Sequence, residues 1–149
     1  MLTNKEDILA VLKKYFQENA DKYHVDLAFL FGSFAMGFVK EESDIDVAVV
    51  FSREIEDEGK VSEWTAEISL EIASRVGKEV DVLPINDPSR KPMVYYNAVV
   101  LGTPVYVRDK TRYIQVYNQA LFQMNDFEIF GSRFQFEAAR NVLRRIQHG

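Results

Sequence analysis

Phe31 to Phe51 reads FGSFAMGFVKEESDIDVAVVF, and it places two aspartates where the surrounding pattern asks for apolar side chains. Ile45 and Val47 to Phe51 have the character of a buried β-strand, yet Asp44 and Asp46 sit at its start. Aspartate is depleted in strands. Side chains alternate along a strand, so Asp44 and Asp46 share one face while Ile45 and Val47 point to the other. Two carboxylates side by side repel, which favours protonating one of them. A divalent cation between them reverses that preference. Mg²⁺ suits the position, because one or two carboxylates plus substrate phosphates and water commonly hold it.

Separated from Asp44 by ten residues, the pair Gly32-Ser33 stands directly after an apolar run and before the short stretch Phe34 to Met36. Glycine lets backbone approach a ligand closely. Free N–H groups at the start of a helical turn suit a phosphate oxygen, and the Ser33 hydroxyl can add a hydrogen bond. The spacer, with Gly37 for a turn, is long enough to return the chain to the next strand. A third out-of-place aspartate, Asp81, lies within Glu79-Val80-Asp81-Val82-Leu83. If that strand adjoins the Asp44–Asp46 strand, the three carboxylates make a site able to hold two metals about 3.5–4 Å apart. Asp81 would then help deprotonate an acceptor hydroxyl. The bland alternative is strongest for Asp44, which follows Ser43 and could simply end a strand, and weaker for Asp46, deeper in the apolar run.

These residues need strands and helices to position them. Thr3 and Glu6 resemble a capping box, followed by Ile8, Val11, Leu12, Tyr15 and Phe16 at amphipathic helical spacing. Val25 to Phe31, Asp44 to Phe51 and Glu79 to Ile85 read as strands, with an acidic loop from Ser52 to Gly59. Val61, Trp64, Ile68 and Ile72 mark a second helix face that Gly77 is placed to stop. A loop from Asn86 to Pro92 precedes a short helix with Pro92 in its first turn, which stops before Gly102. Val105 to Val107 reads as a short last strand, and from Thr111 two helical segments are expected, joined around Met124 to Asp126. The expectation is one α/β (α+β) domain over residues 1–149, with a small mixed sheet flanked by helices and a C-terminal helical segment over 111–147. In that segment Phe127, Phe130, Phe134 and Phe136 accompany Arg133, Arg140, Arg144 and Arg145. This is either a core stripe with a solvated basic face or an interface.

Composition narrows the function. The chain has 149 residues, no cysteine and two histidines, His24 and His148, so a zinc site is not expected. The formal net charge of −5 argues against broad nucleic-acid binding. The start, MLTNKEDILAVLKKYF, lacks the pattern of a signal peptide, and no apolar run is long enough to span a bilayer. A soluble, cytoplasmic protein is the expectation.

Gly32-Ser33, ten residues and then Asp44-Ile45-Asp46 resembles the signature of the DNA polymerase β-like nucleotidyltransferase superfamily. With the segment Val80 to Ile85 and the short chain, it is similar to the minimal nucleotidyltransferases, the MNT-domain proteins. The resemblance covers roughly residues 25–107, the expected catalytic core. It implies a mixed sheet flanked by helices that binds ATP with Mg²⁺, two ions being expected, and transfers a nucleoside monophosphate with release of pyrophosphate. Gly32 and Ser33 would contact the triphosphate, Asp44 and Asp46 would hold the metals, and Asp81 would be the third carboxylate. One departure is plain. Many relatives carry a basic residue soon after Gly-Ser, as in GSRARG, whereas Phe34 to Gly37 has none and Lys40 is the first; Arg90 and Lys91 are further candidates to compensate.

Many minimal members are the antitoxin partner of a HEPN-domain toxin, and some neutralise it by attaching AMP to a tyrosine. The resemblance therefore implies AMP transfer to such a toxin, in a hetero-oligomer with it. Neutralisation by binding alone is the alternative, and an aminoglycoside-type small-molecule nucleotidyltransferase the third.

Overall fold

The structure, a computed structural model, describes residues 4–32, 45–87 and 90–125. Among these, four strands form one sheet: β1 (Val25–Phe31), β2 (Ile45–Phe51), β3 (Val80–Pro84) and β4 (Thr103–Val107), in the order β3-β2-β1-β4. β1 runs antiparallel to both β2 and β4, and β2 runs parallel to β3. The sheet is mixed, as expected. Helix α1 (Lys5–Asn19) precedes β1, and α2 (Glu58–Val76) makes the crossover between the parallel strands β2 and β3. Helix α3 (Pro92–Tyr96) continues as a π-helical turn, Asn97–Leu101, into β4. A last helix, α4, runs from 110 to 125.

The central strands are apolar on both sides because both sheet faces are covered. On one face Val47, Val49 and Phe51 of β2 meet Leu12, Phe16, Ile68 and Ile72 of α1 and α2. On the other, Leu27, Phe29, Ala48 and Val50 meet Tyr95, Ala98, Val99, Val116 and Ala120. That second face is also the one on which Asp46 stands, two residues before Ala48.

Helix ends follow local chemistry, with one correction. The α1 cap is Asn4, whose Oδ1 accepts from the Glu6 N–H at 2.8 Å; the expected Thr3 lies outside the described residues. Asp57 caps α2 by accepting from the N–H groups of Gly59 and Lys60 at 2.9 and 3.3 Å. The same helix stops at Gly77, as its position in the sequence suggests, with φ +73° and an N–H donated to Ala73 at 2.9 Å. The His24 ring packs against Trp64 at the head of β1, with centroids 5.3 Å apart.

β4 begins at Thr103 rather than Val105, taking in Pro104. This strand lies at the sheet edge, where a missing N–H is tolerated. From 110 the chain is one continuous helix to 125; the expected junction around Met124 to Asp126 and the Phe/Arg-rich stretch after it lie outside the described residues. Among the described residues no helix is long and apolar enough to cross a membrane.

Candidate active site

β1 ends where β2 and β3 begin, so one end of the sheet collects the three turning points of the chain. Phe31 pairs with Asp46 across the antiparallel ladder, and Asp46 pairs with Asp81 across the parallel one. Paired residues project to the same face, and adjacent strands are about 4.8 Å apart. Two carboxylates from distant parts of the sequence thus lie side by side. Asp46 is half-buried and Asp81 is exposed, so the pair is open to solvent on the β3 side.

Gly32 follows β1 directly with φ +80°, a conformation that costs an L-residue about 1–2 kcal/mol. A Cβ there would stand 2.5 Å from Asp46 Oδ2. Glycine is required at this position for two reasons: the backbone conformation, and the carboxylate packed against the Cα. Gly32, directly after β1, therefore lies against the Asp46 carboxylate.

Gly32, Asp46 and Asp81 are brought together. Ser33 and Asp44 lie outside the described residues, as does Lys40. Arg90 and Lys91 are placed elsewhere: they line a cavity of about 720 Å³ beyond the far end of β3, with Leu83, Ile85 and Tyr95. Neither stands at the Asp81 end of that strand. Sequence reasoning left out Asn86, which lines the same cavity. Its side-chain amide accepts from the Phe51 N–H at 2.9 Å and donates to the Phe51 carbonyl at 3.3 Å. It thereby supplies β2 with a partner where β3 has ended, and only its place in a turn-forming loop hinted at a role.

A pair of adjacent carboxylates beneath a glycine turn offers hard oxygen ligands next to backbone that a phosphate can approach. The family described as Polymerase beta, Nucleotidyltransferase matches residues 10–111, a span containing all of these positions. The chain belongs to that nucleotidyltransferase family. A relative named "Putative protein adenylyltransferase MJ0435", from Methanocaldococcus jannaschii, is 39% identical over 80 residues, which are 52% of this chain and 81% of the relative. Two solved structures share the nucleotidyltransferase fold. A chain from a crystal structure of a toxin–antitoxin with AMP-PNP has a TM-score of 0.64 at 16% identity, over 85% of this chain and 98% of that one. A chain from the structure of a tri-AMPylated HEPN toxin of Shewanella oneidensis in complex with its MNT antitoxin has a TM-score of 0.63 at 14% identity, over 88% and 98%. The mixed sheet and flanking helices expected of a nucleotidyltransferase are thus present, and the chain is an enzyme of that class by family.

Proposed function

We propose that this nucleotidyltransferase moves AMP from Mg²⁺-bound ATP to a tyrosine hydroxyl on a HEPN-type toxin and so acts as that toxin's antitoxin. The observation that carries the reading is the register of Asp46 with Asp81 beneath Gly32, where two carboxylates and a side-chain-free turn share one end of the sheet. The name of the archaeal relative and the toxin–antitoxin complexes that share the fold point the same way.

Asp44, Asp46 and Asp81 are the residues to hold Mg²⁺, and the fit is chemical: a half-buried and an exposed carboxylate face each other, an arrangement that repels unless a cation joins it. Bound there, Mg²⁺ would neutralise charge on the triphosphate and on the departing pyrophosphate. The chain's own residues do the rest. Gly32 lets the turn lie close to the triphosphate, and Ser33 adds a hydroxyl donor. Asp81, at the solvent side of the pair, receives the proton of the acceptor hydroxyl. The acceptor oxygen forms its bond to the α-phosphorus as the α–β phosphoanhydride bond breaks, and pyrophosphate leaves with the bonding electrons.

A second reading has an observation in its favour. No basic residue follows Gly32-Ser33 before Lys40, and Arg90 and Lys91 lie beyond the far end of β3. An antitoxin acting by contact alone would need no triphosphate grip. A small-molecule acceptor ranks third, since larger drug-modifying relatives build an acceptor pocket partly from a second helical domain.

The deciding experiment combines α-labelled ATP, Mg²⁺, and the product of the neighbouring gene with the native chain or Asp44→Ala/Asp46→Ala. Label on the partner with the native chain alone supports transfer, and mass spectrometry then names the acceptor. A stable, inhibited complex without label replaces transfer by binding.

A further inference from the structure

At the opposite end of the sheet stands a cluster of guanidinium groups for which AMP transfer has no use. Arg108, just past β4, is well partnered. Its Nη2 lies 2.6 Å from Asp21 Oδ1 and its Nε 3.4 Å from Asp26 Oδ1. Arg112, in the first turn of α4, is not. Its Nε is shielded from solvent and has no hydrogen-bond partner, and the Asp26 Oδ2 it faces is 3.8 Å away. Arg53, just past β2, donates from Nη2 to Gln115 Oε1 at 3.1 Å. Gln115 is three residues on from Arg112, so the two project from the same side of the helix. Arg53 therefore brings a second cation to Arg112's side of α4 and is met there by a neutral amide.

Several costs coincide at Arg112. A cation in the first turn opposes the helix dipole, and a buried guanidinium N–H without an acceptor loses its hydration. Burial first, and then the charge of Arg53, push the Arg112 pKa down. Asp26 cannot offset all of this, because Arg108 shares it. Three arginines face two aspartates, and the uncompensated charge lies on the Arg53–Arg112 side.

We infer that Arg53 and Arg112 form a binding site for a phosphate-type oxyanion, separate from the carboxylate pair. Asp26 and Gly32 stand six residues apart along β1, which sets the two sites about 20 Å from each other. A tetrahedral oxyanion presents acceptor oxygens in several directions and so suits donors arriving from the end of β2 and from α4. Guanidinium–phosphate pairs are among the stronger charge-assisted hydrogen bonds. Free phosphate and pyrophosphate offer the same chemistry.

Titration calorimetry of the full chain with inorganic phosphate and, separately, pyrophosphate, at fixed ionic strength, tests this. Saturable binding of at least one of them is expected, weakened tenfold or more in Arg53→Gln and in Arg112→Gln and unchanged in Asp46→Asn/Asp81→Asn. Arg53 is exposed and its replacement leaves the core intact, which circular dichroism checks. Tighter binding of one anion identifies the source. Absence of saturable binding by both overturns the inference. So does binding that survives Arg53→Gln and Arg112→Gln at full strength, or that disappears in Asp46→Asn/Asp81→Asn.

Discussion

Asp46 and Asp81 are register partners across the parallel β2–β3 pair, thirty-five positions apart in sequence and neighbours in the sheet. Like charges directly opposite one another destabilise a sheet by up to about 1 kcal/mol. Replacing the exposed Asp81 by asparagine is therefore expected to leave metal-free stability unchanged or raise it by up to about 1 kcal/mol, while AMP transfer falls to background both there and in Asp46→Asn. Urea denaturation beside a label-transfer assay checks both halves. Loss of both activity and stability in each variant would instead assign the pair a structural role.

Gly32→Ala is expected to act through two effects at once. The φ of +80° costs alanine about 1–2 kcal/mol, and its Cβ would displace the Asp46 carboxylate from its position 2.5 Å away. Activity should fall even at temperatures where the variant is fully folded. Full activity in a merely destabilised Gly32→Ala protein would show that the turn does not position Asp46.

The outline of this site was legible because its residues break local rules. Aspartate in an apolar strand and Gly-Ser after one stand out at the scale of a few residues. The same locality made Val25–Phe31 and the stop at Gly77 readable. What escaped depends on partners distant in sequence. The edge position that admits Pro104 into β4 follows from strand order. Within 92–101, apolar spacing does not separate α-helical from π-helical turns, since both keep Tyr95, Ala98 and Val99 on the sheet side. Asn4 and Thr3 are both competent caps, and only the chain path chooses between them. Arg53 and Arg112 meet through the ends of β2 and α4, and no spacing rule joins them.

Asn86 is expected to matter for stability beyond its exposed position. Its amide serves both backbone groups of Phe51, the last residue of β2, where the sheet offers no further strand. Asn86→Ala leaves an N–H and a carbonyl to find water at the rim of the cavity, at a cost of about 1–2 kcal/mol. Chemical denaturation measures it, and amide exchange at Phe51 should quicken selectively. Unchanged exchange there would mean that water replaces the side chain without loss.

Glu71 links α2 to α1 and gives the fold a predictable acid limb. Tyr15 donates to its Oε2 at 2.9 Å and Tyr23 to its Oε1, with Lys22 4.0 Å away. Burial raises the Glu71 pKa, but the hydrogen bonds from Tyr23 and Tyr15 and the charges of Lys22 and Arg75 together outweigh it, and the net shift is downward. A carboxyl depressed in the folded state contributes stability that is present above its unfolded pKa and is lost as pH falls through its folded one. The native chain should thus lose stability from about pH 4.5 downward. Glu71→Gln, less stable at neutral pH, should show a shallower decline over the same range. Burial, followed by the bonds to Glu71, raises both tyrosines, so their share is lost as pH climbs past about 10. Denaturation midpoints of the two proteins from pH 3 to 7 provide the comparison. Parallel curves would show that Glu71 does not supply the acid limb.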